Sequence, residues 1–326
     1  MKKILLDCDP GIDDSIAIIF ALKSSELNIQ AITSATGNLT ADRTGVNIRK
    51  ILELMNRGDV LVAQGLMRPL ICEYPLDPFS HGIDGLGNTG LPEPRLTLDP
   101  RSAPDLMADI IHSNPHEITI VATAPLTNIA FMILKEPNIA QLVKELILIG
   151  GSFGFNRYAF TNATGGNPVS EWNVFVDPDA AKIVFHSGMN ITAIGLDVAT
   201  HPEINLLSHH RTELEHANNR ESEHFLKILK YLDEKHFQSY CALIDSLAVA
   251  AAINPDLIQT QEIHVEIETH SELTRGQTVT DHRDNFRWQH LPVIRAASNA
   301  NFKGFLELLI AKVTDIESHY NDIKKK

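Results

Sequence analysis

Cysteine is scarce in this sequence, and its few copies are far apart. The 326 residues include three cysteines, Cys8, Cys72 and Cys241. They are odd in number and show neither a disulfide framework nor the spacing of a zinc site. This pattern favours a reducing compartment, and we expect a cytoplasmic protein.

Excess basic charge and long apolar runs are missing as well. Lys and Arg number 28 against 41 Asp and Glu, and the formal net charge is −13. Such an acidic chain is a poor partner for a nucleic acid or an anionic membrane. The N-terminal apolar run, residues 4–6, is too short for a signal peptide, and no run approaches the about 20 residues of a membrane span. Hydrophobic residues still make up 44% of the chain, enough for a substantial core.

Short apolar runs typical of buried strands alternate with helical patterns through the first two hundred residues. The predicted strands are 4–6, 29–33, 60–63, 118–122, 146–149 and 191–196, and the clearest predicted helices are 16–22, 40–56, 102–113 and 126–134. This alternation predicts an α/β fold with a mostly parallel open sheet and helices on both faces, as in Rossmann-like proteins. No linker or repeat divides the chain, so we expect one domain over residues 1–326.

Three stretches interrupt this alternation. Residues 72–94 are rich in Pro and Gly, residues 152–171 are polar, and residues 213–240 are charged and rich in His. Long irregular segments inside a compact domain are usually functional, so all three are lid-like candidates. We expect the third to form exposed helices.

The acidic segment at residues 7–14, Asp-Cys-Asp-Pro-Gly-Ile-Asp-Asp, directly follows the first predicted strand. A strand-to-helix turn in an open α/β sheet faces the crevice where ligands bind. Four carboxylates packed together repel one another, and a hard cation with oxygen ligands compensates them most simply. A helix cap in a solvated acidic turn is the alternative, but it fits poorly because Asp7 and Asp9 bracket the end of a buried strand.

Other polar residues also fall at the ends of predicted strands. Asn38 follows the second strand, Thr123 follows the fourth, and Glu171 and Asn173 end the loop after the fifth. Asp245 precedes another helical run. Together along one edge of the sheet, these residues predict a pocket that binds both a metal ion and a polyol.

The motifs together closely resemble the nucleoside hydrolases of the inosine–uridine-preferring type. The matching pieces are DCDPGIDD at 7–14, TGN at 36–38, HG..GLG at 81–87, TAPLTNIA at 123–130, LILIGG at 146–151, EWNVFVDPDAA at 171–181 and GLDV at 195–198. The resemblance runs in consistent order from residue 3 to about 255. It implies hydrolysis of the N-glycosidic bond of ribonucleosides in purine and pyrimidine salvage, by a homodimer or homotetramer.

The resemblance also implies a tightly bound Ca²⁺ ion. Its ligands would be the carboxylates of Asp9, Asp14 and Asp245 and the main-chain carbonyl of Thr123. Asp9 would also be the general base that activates water, which makes it the catalytic residue. Asp7 is expected to orient its neighbours rather than to bind the metal.

A further set of residues would bind the substrate. The ribose hydroxyls would be bound by Asp13, Asn38, Glu171 and Asn173, with Asn167 as an additional contact from the loop and Asn162 as its alternative. His81 is expected at the pocket edge, near the base or the 5′-hydroxyl.

One departure from the family pattern concerns the leaving group. Many members carry a His immediately before the last metal-binding Asp, where it is proposed to protonate the departing base. Here that position is Ile244, which has no proton to give. Either His81, His236 or Tyr240 supplies the proton instead, or the enzyme relies on the metal ion and on activation of the ribose alone.

The sequence is also compatible with three other functions. The chain could be a ribonucleoside-binding protein with weak or no catalysis, or a hydrolase of another N-ribosyl compound. A phosphatase of the haloacid-dehalogenase type also places DxD after a strand, but it has no use for Asp13, Asp14 or the TGN motif.

Overall fold

One nine-stranded sheet organises the computed structural model, which describes residues 1–76, 80–283 and 288–315. The strands in chain order are β1 (Lys2–Cys8), β2 (Leu27–Ser34), β3 (Leu61–Gln64), β4 (Ile118–Ala122), β5 (Glu145–Ile149), β6 (Ile191–Ile194), β7 (Ile258–Ile267), β8 (Thr278–Thr280) and β9 (Val293–Ala300). The six strands predicted from the sequence are all present. The sixth ends at Ile194, because Gly195 caps the helix that follows.

The sheet is parallel over most of its width, as predicted. Its strand order is β3-β2-β1-β4-β5-β6-β9-β7-β8. Strands β1 to β6 pair in parallel, and β9 joins β6 in parallel. β7 is antiparallel to both β9 and β8. The antiparallel end is built from residues after 257, where the sequence motifs had ended.

Twelve α-helices surround the sheet in the described part of the chain. They are α1 (Ile12–Lys23), α2 (Ala41–Leu54), α3 (Ala103–Ser113), α4 (Thr127–Lys135), α5 (Tyr158–Thr161), α6 (Trp172–Val176), α7 (Pro178–Phe185), α8 (Leu196–Ala199), α9 (Ser208–Ala217), α10 (Arg220–Glu234), α11 (Ser246–Ile253) and α12 (Phe302–Thr314). Short 3₁₀ helices lie at Pro137–Leu142, Pro202–Ile204, Ser239–Ala242 and Pro255–Leu257. No helix in residues 1–76, 80–283 and 288–315 is long and apolar enough to cross a bilayer.

Two apolar cores cover the two faces of the sheet, which confirms the predicted layering. One core contains α1, α2, α10, α11 and α12, and the other contains α3, α4 and α7. Helix α1 lies deep in the first core and contacts both α11 and α12. The start of α1, which carries the acidic motif, is therefore held by packing on several sides.

The prediction of exposed helices in residues 213–240 is wrong for α10. Its apolar side chains Phe225, Ile228, Leu229 and Leu232 are all buried. They recur at spacings of three and four residues, the pattern of a helix with one apolar face. The charged residues lie between them on the other face, and their number obscured the stripe in the sequence.

Replacing Phe305 tests whether the C-terminal helix α12 belongs to the core. Phe305 is fully buried, so Phe305→Ala should lower the free energy of unfolding by about 3–5 kcal/mol. Phe160→Ala is the matched control, because Phe160 is 46% exposed; it should cost less than about 1 kcal/mol. Urea unfolding of both variants measures the two losses. Equal losses would mean that α12 contributes little to the core.

Candidate active site

The carboxyl ends of the central parallel strands bring the predicted residues to one edge of the sheet. In the register, Asp7 of β1 lies opposite Thr33 of β2 and Ala122 of β4. Asp9, Asn38 and Thr123 follow these positions in the turns beyond the strands. Asn38 and Thr123 line a cavity of about 310 Å³.

Most of the predicted site residues line this cavity. Those lining it are Asp13, Asn38, His81, Thr123, Glu171, Asn173 and Asp245. Asp9 and Asp14 do not line it, but each is bonded to a residue that does. The main-chain N–H of Asn38 donates to Asp9 Oδ2 at 2.6 Å, and the hydroxyl of Thr123 donates to Asp14 Oδ1 at 2.7 Å.

Three carboxylates come close enough together, among the described residues, to share one cation. Asp13, Asp14 and Asp245 each offer an oxygen within 4.8 Å of the other two. Burial and repulsion from Asp13 raise the pKa of Asp14 to about 7. Burial, followed by repulsion from Asp13, Asp14 and Asp9, raises the pKa of Asp245 well above its usual value. This concentration of negative charge is costly unless a cation or protons neutralise it.

Asp9 adds a fourth carboxylate with an unused oxygen. Its Oδ1 is buried and has no hydrogen-bond partner among the described residues. Burial, and then the charge of Asp14, raise the pKa of Asp9 well above its usual value. A Cβ at Gly37 would lie 2.0 Å from Asp9 Oδ2, so the TGN turn approaches closely only because residue 37 is glycine. An orphaned carboxylate oxygen beside three further carboxylates fits a hard divalent cation.

Thr123 connects the acidic cluster to the rest of the site. Its N–H donates to the carbonyl of Asp7 at 2.9 Å, which continues the pairing of β1 with β4. Its own carbonyl accepts from Asn173 Nδ2 at 2.9 Å. Since a carbonyl has two lone pairs, the second is available to a cation.

Glu171 and Asn173 are fixed by the start of α6. Glu171 Oε1 accepts from the N–H of Asn173 at 2.9 Å, and Oε2 accepts from the N–H groups of Val174 and Gly151 at 3.1 and 3.2 Å. These bonds favour the charged form of Glu171 and lower its pKa. Burial has the larger, opposite effect, so the pKa rises to about 7. Asn173 Nδ2 also donates to the carbonyl of Ile149 at 3.1 Å and so links β5 to the site.

His81 lies over the start of α1. Its Nδ1 accepts from the N–H of Ile12 at 3.1 Å and lies 3.9 Å from Asp13 Oδ1. A Cβ at Gly11 would lie 2.3 Å from Nδ1, so this approach requires glycine. The bond from Ile12 needs an unprotonated Nδ1, which leaves Nε2 as the nitrogen that carries hydrogen.

The structure does not place Asn167 at the cavity. Its Nδ2 donates to the carbonyl of Arg275 at 2.9 Å, and its Oδ1 accepts from Val169 and Ser170. Its amide therefore supports the loop internally. The alternative, Asn162, donates instead to the carbonyl of Thr200 at 3.4 Å. Thr164 lines the cavity from this loop, and a Thr hydroxyl carried no motif signal in the sequence.

Three further buried acids lie outside the cluster, and each accepts hydrogen bonds from neighbouring segments. Asp7 Oδ1 accepts from Thr33 at 2.6 Å and from Asn128 at 2.9 Å, in keeping with an orienting role. Asp197 Oδ1 and Oδ2 accept from the N–H groups of Phe155 and Phe153 and hold the 152–171 loop. Asp177 caps α7 by accepting from the N–H of Ala180.

Two of the three proposed replacement acids reach the cavity. His81 and Tyr240 line it together with Ile244, whereas His236 does not. His236 is exposed and has a left-handed backbone (φ 57°) just after α10. Phe237, which belongs to no sequence motif, lines the cavity instead. Each predicted lid-like segment thus supplies lining residues in the described part of the chain.

Removing one charge should stabilise the metal-free protein. Asp14 has its pKa raised from 3.8 to about 7, so its contribution to stability is full below pH 4 and is lost as the pH rises through about 7. Asp245 has its own pKa raised well above its usual value, first by burial and then by Asp13, Asp14 and Asp9, so its ionisation also lowers stability as the pH rises. In chelator at pH 8, Asp245→Asn should therefore melt a few degrees higher than wild type, with a smaller difference at pH 5.

Asp197→Asn is the matched control, because Asp197 is also fully buried but lies outside the cluster. It should lower the melting temperature at both pH values, since it weakens bonds to the 152–171 loop. If Asp245→Asn is also destabilised at pH 8 in chelator, repulsion in the cluster is not what limits stability.

Comparison with known proteins supports the resemblance seen in the motifs. The family model described as inosine-uridine preferring nucleoside hydrolase matches residues 4–307, which extends beyond the last sequence motif. The pyrimidine-specific ribonucleoside hydrolase RihA of Salmonella newport (strain SL254) is 34% identical over 318 residues, covering 95% of this chain and 97% of that protein.

Solved structures give the same result. A purine-preferring ribonucleoside hydrolase from Gardnerella vaginalis matches with a TM-score of 0.85 and 28% identity, covering 96% of this chain and 98% of that one. A plant nucleoside hydrolase matches with a TM-score of 0.85 and 29% identity, covering 96% and 99%. The names of these relatives specify different bases: RihA is called pyrimidine-specific, and the Gardnerella vaginalis enzyme is called purine-preferring.

Proposed function

The chain belongs to the family of inosine-uridine preferring nucleoside hydrolases, and we propose that it hydrolyses the N-glycosidic bond of ribonucleosides to ribose and free base. The carboxylate cluster at the ends of β1 and β4 carries this proposal. Breaking a glycosidic bond develops positive charge on the sugar, which an acidic cavity stabilises. A phosphatase of the haloacid-dehalogenase type would need Asp7 as its nucleophile, but Asp7 is fully buried and its Oδ1 accepts from Thr33 and Asn128.

We propose Ca²⁺ as the cofactor, held by Asp9, Asp14, Asp245 and the carbonyl of Thr123. The donors are all oxygens of mixed type, which suits calcium better than magnesium. When bound there, the ion would lower the pKa of a coordinated water molecule and orient the ribose diol. Asp13 lies in the same cluster, and we propose that it faces the substrate instead.

Asp9 is the proposed general base. The N–H of Asn38 holds Asp9 Oδ2 at 2.6 Å, while the buried Oδ1 has no hydrogen-bond partner among the described residues. That oxygen is therefore available to take a proton from the attacking water. Asp9 is too far inside the turn to contact solvent, being 1% exposed, so the site must hold the water for it.

The remaining polar residues are proposed to bind ribose. Asp13, Asn38, Glu171 and Asn173 line the cavity, and the main-chain bonds to Glu171 and Asn173 fix their positions before substrate arrives. Preorganised partners of this kind orient the sugar at little cost on binding. His81 can offer its Nε2–H to the 5′-hydroxyl or to the base.

We further propose a cytoplasmic salvage enzyme that works as a homodimer or homotetramer. The three cysteines are unpaired, as expected of a reducing compartment. An apolar surface patch formed by Ile71, Phe131, Leu134 and Ile183 lines a shallow groove beside α4 and α7, and patches of this kind often lie in subunit interfaces. The segments 72–94, 152–171 and 213–240 are proposed lids over a single catalytic domain.

Ribose release from paired substrates tests the proposed function. Ribonucleosides should be cleaved, and the matching 2′-deoxyribonucleosides should show kcat/KM values lower by on the order of 10⁴-fold. A site built to hydrogen-bond a hydroxyl leaves buried groups unpaired when that hydroxyl is missing. A reducing-sugar assay on inosine, uridine and their deoxy analogues measures this ratio. Similar kcat/KM values for each pair would contradict the assignment of the ribose-binding residues.

A further inference from the structure

The cavity combines strong negative charge with a lining that is otherwise largely apolar. Apart from the polar residues assigned above, the larger lining side chains are Ile12, Ile149, Trp172, Leu196, Phe237 and Ile244. No Lys or Arg lines the cavity in residues 1–76, 80–283 and 288–315. A base bound there meets aromatic and aliphatic surfaces and a surrounding negative potential.

The lining offers poor proton donors for a leaving base. The Nδ1 of His81 is engaged by the N–H of Ile12 at 3.1 Å, so this nitrogen is not positioned to donate to the base. Burial raises the pKa of Glu171 to about 7, but both of its oxygens already accept main-chain N–H bonds. A proton on either oxygen therefore has no free direction toward the base unless one of these bonds breaks. Ile244 has no proton to transfer.

Two further candidates are also weakly acidic. Burial raises the pKa of Tyr240 to about 12, and burial together with the charge of Asp13 raises the pKa of Cys241 to about 11. Neither group readily gives up a proton near neutral pH. The described part of the cavity therefore activates the sugar better than it activates a neutral base.

A base with a fixed positive charge removes this difficulty. When water attacks C1′ and the C1′–N bond breaks, the bonding electron pair moves to the ring nitrogen and neutralises the base. Asp9 takes a proton from the water, so a cationic N-riboside and water yield ribose, a neutral base and one proton. A neutral nucleoside would instead release an anion, or need an acid to protonate the base.

The electrostatics of the cavity favour the same substrates. Asp13, Asp245 and Glu171 line it, and Asp9 and Asp14 are bonded to lining residues. Two bound positive charges would offset only part of these five carboxylates. The rings of Trp172, Phe237 and Tyr240 add surfaces that attract a cationic heterocycle.

We propose that this site is specialised for N-ribosides whose base carries a fixed positive charge, such as N7-alkylated purine or pyridinium ribosides. This inference rests on the proposed ribonucleoside hydrolase function and narrows its substrate class. Neutral nucleosides are then slower substrates, because their bases must leave without an acid.

Guanosine and 7-methylguanosine form a matched test pair, since one methyl group sets the charge of the base. The wild-type enzyme should cleave 7-methylguanosine with a kcat/KM at least on the order of 10³-fold higher, comparable to the usual worth of a general acid. Nucleosides with a positively charged base also lose that base faster without an enzyme. Variants of the enzyme are therefore needed to separate this intrinsic reactivity from the contribution of the site.

Ile244→His introduces an acid at the departing base, and Ile244→Val is the apolar control. The histidine variant should lower the ratio of kcat/KM for 7-methylguanosine to that for guanosine by about tenfold or more, because the new acid helps only the neutral base to leave. The valine variant should keep the wild-type ratio. A wild-type ratio below about tenfold would overturn the inference. So would a His81→Ala or Tyr240→Phe variant that loses guanosine hydrolysis but spares 7-methylguanosine, because the missing acid would then be found.

A substituted phenyl riboside series gives a second readout that needs no variant. Without an acid, log kcat/KM should fall steeply as the pKa of the leaving phenol rises, and a flat dependence would contradict the proposal. Failure of the inference differs from failure of the proposed function. In the first case guanosine, inosine and uridine are cleaved as fast as the cationic analogue, whereas in the second no N-riboside is cleaved at all.

Discussion

Repulsion between buried carboxylates is the constraint on which the rest of this structure depends. Asp9 follows β1, Asp13 and Asp14 begin α1, and Asp245 precedes α11, so three separate elements bring negative charge to one place. The cores around α1 and α11 stabilise this arrangement, and the hydroxyl and amide groups of Thr123 and Asn38 partly satisfy it. The remaining charge is what makes the site suitable for a cation and for a cationic transition state.

A hydrogen-bond network fixes the residues of the cavity relative to the strands of the sheet. Asn173 bridges the ends of β4 and β5 through the carbonyls of Thr123 and Ile149. Glu171 caps the helix that carries Asn173, and Asp197 anchors the intervening loop. The proposed ribose-binding groups therefore rest on the most buried strands. These hydrogen bonds hold the loops after β4 and β5 in a fixed position relative to the parallel sheet.

Much of this was predictable, because the parallel strands are short, fully buried runs and the acids follow them directly. The sequence did not reveal the burial of α10, whose apolar stripe is interleaved with charges. It also misplaced Asn167, since a loop asparagine bonds equally well to its own main chain. The antiparallel β7 to β9 region lacked motifs. The trio of Asp13, Asp14 and Asp245 depends on side-chain directions that spacing alone does not determine.

Asp9 provides the most direct test of the central claim, with Asp13 as its matched neighbour. Asp9→Asn and Asp13→Asn should be compared by calcium titration and by kcat at saturating calcium and nucleoside. We expect Asp9→Asn to bind calcium more weakly and, once saturated, to lose on the order of 10²–10⁴ in kcat. Asp13→Asn should keep wild-type calcium affinity. If instead Asp13→Asn loses calcium while Asp9→Asn retains both metal and near-wild-type kcat, the proposed base and ligand set are wrong.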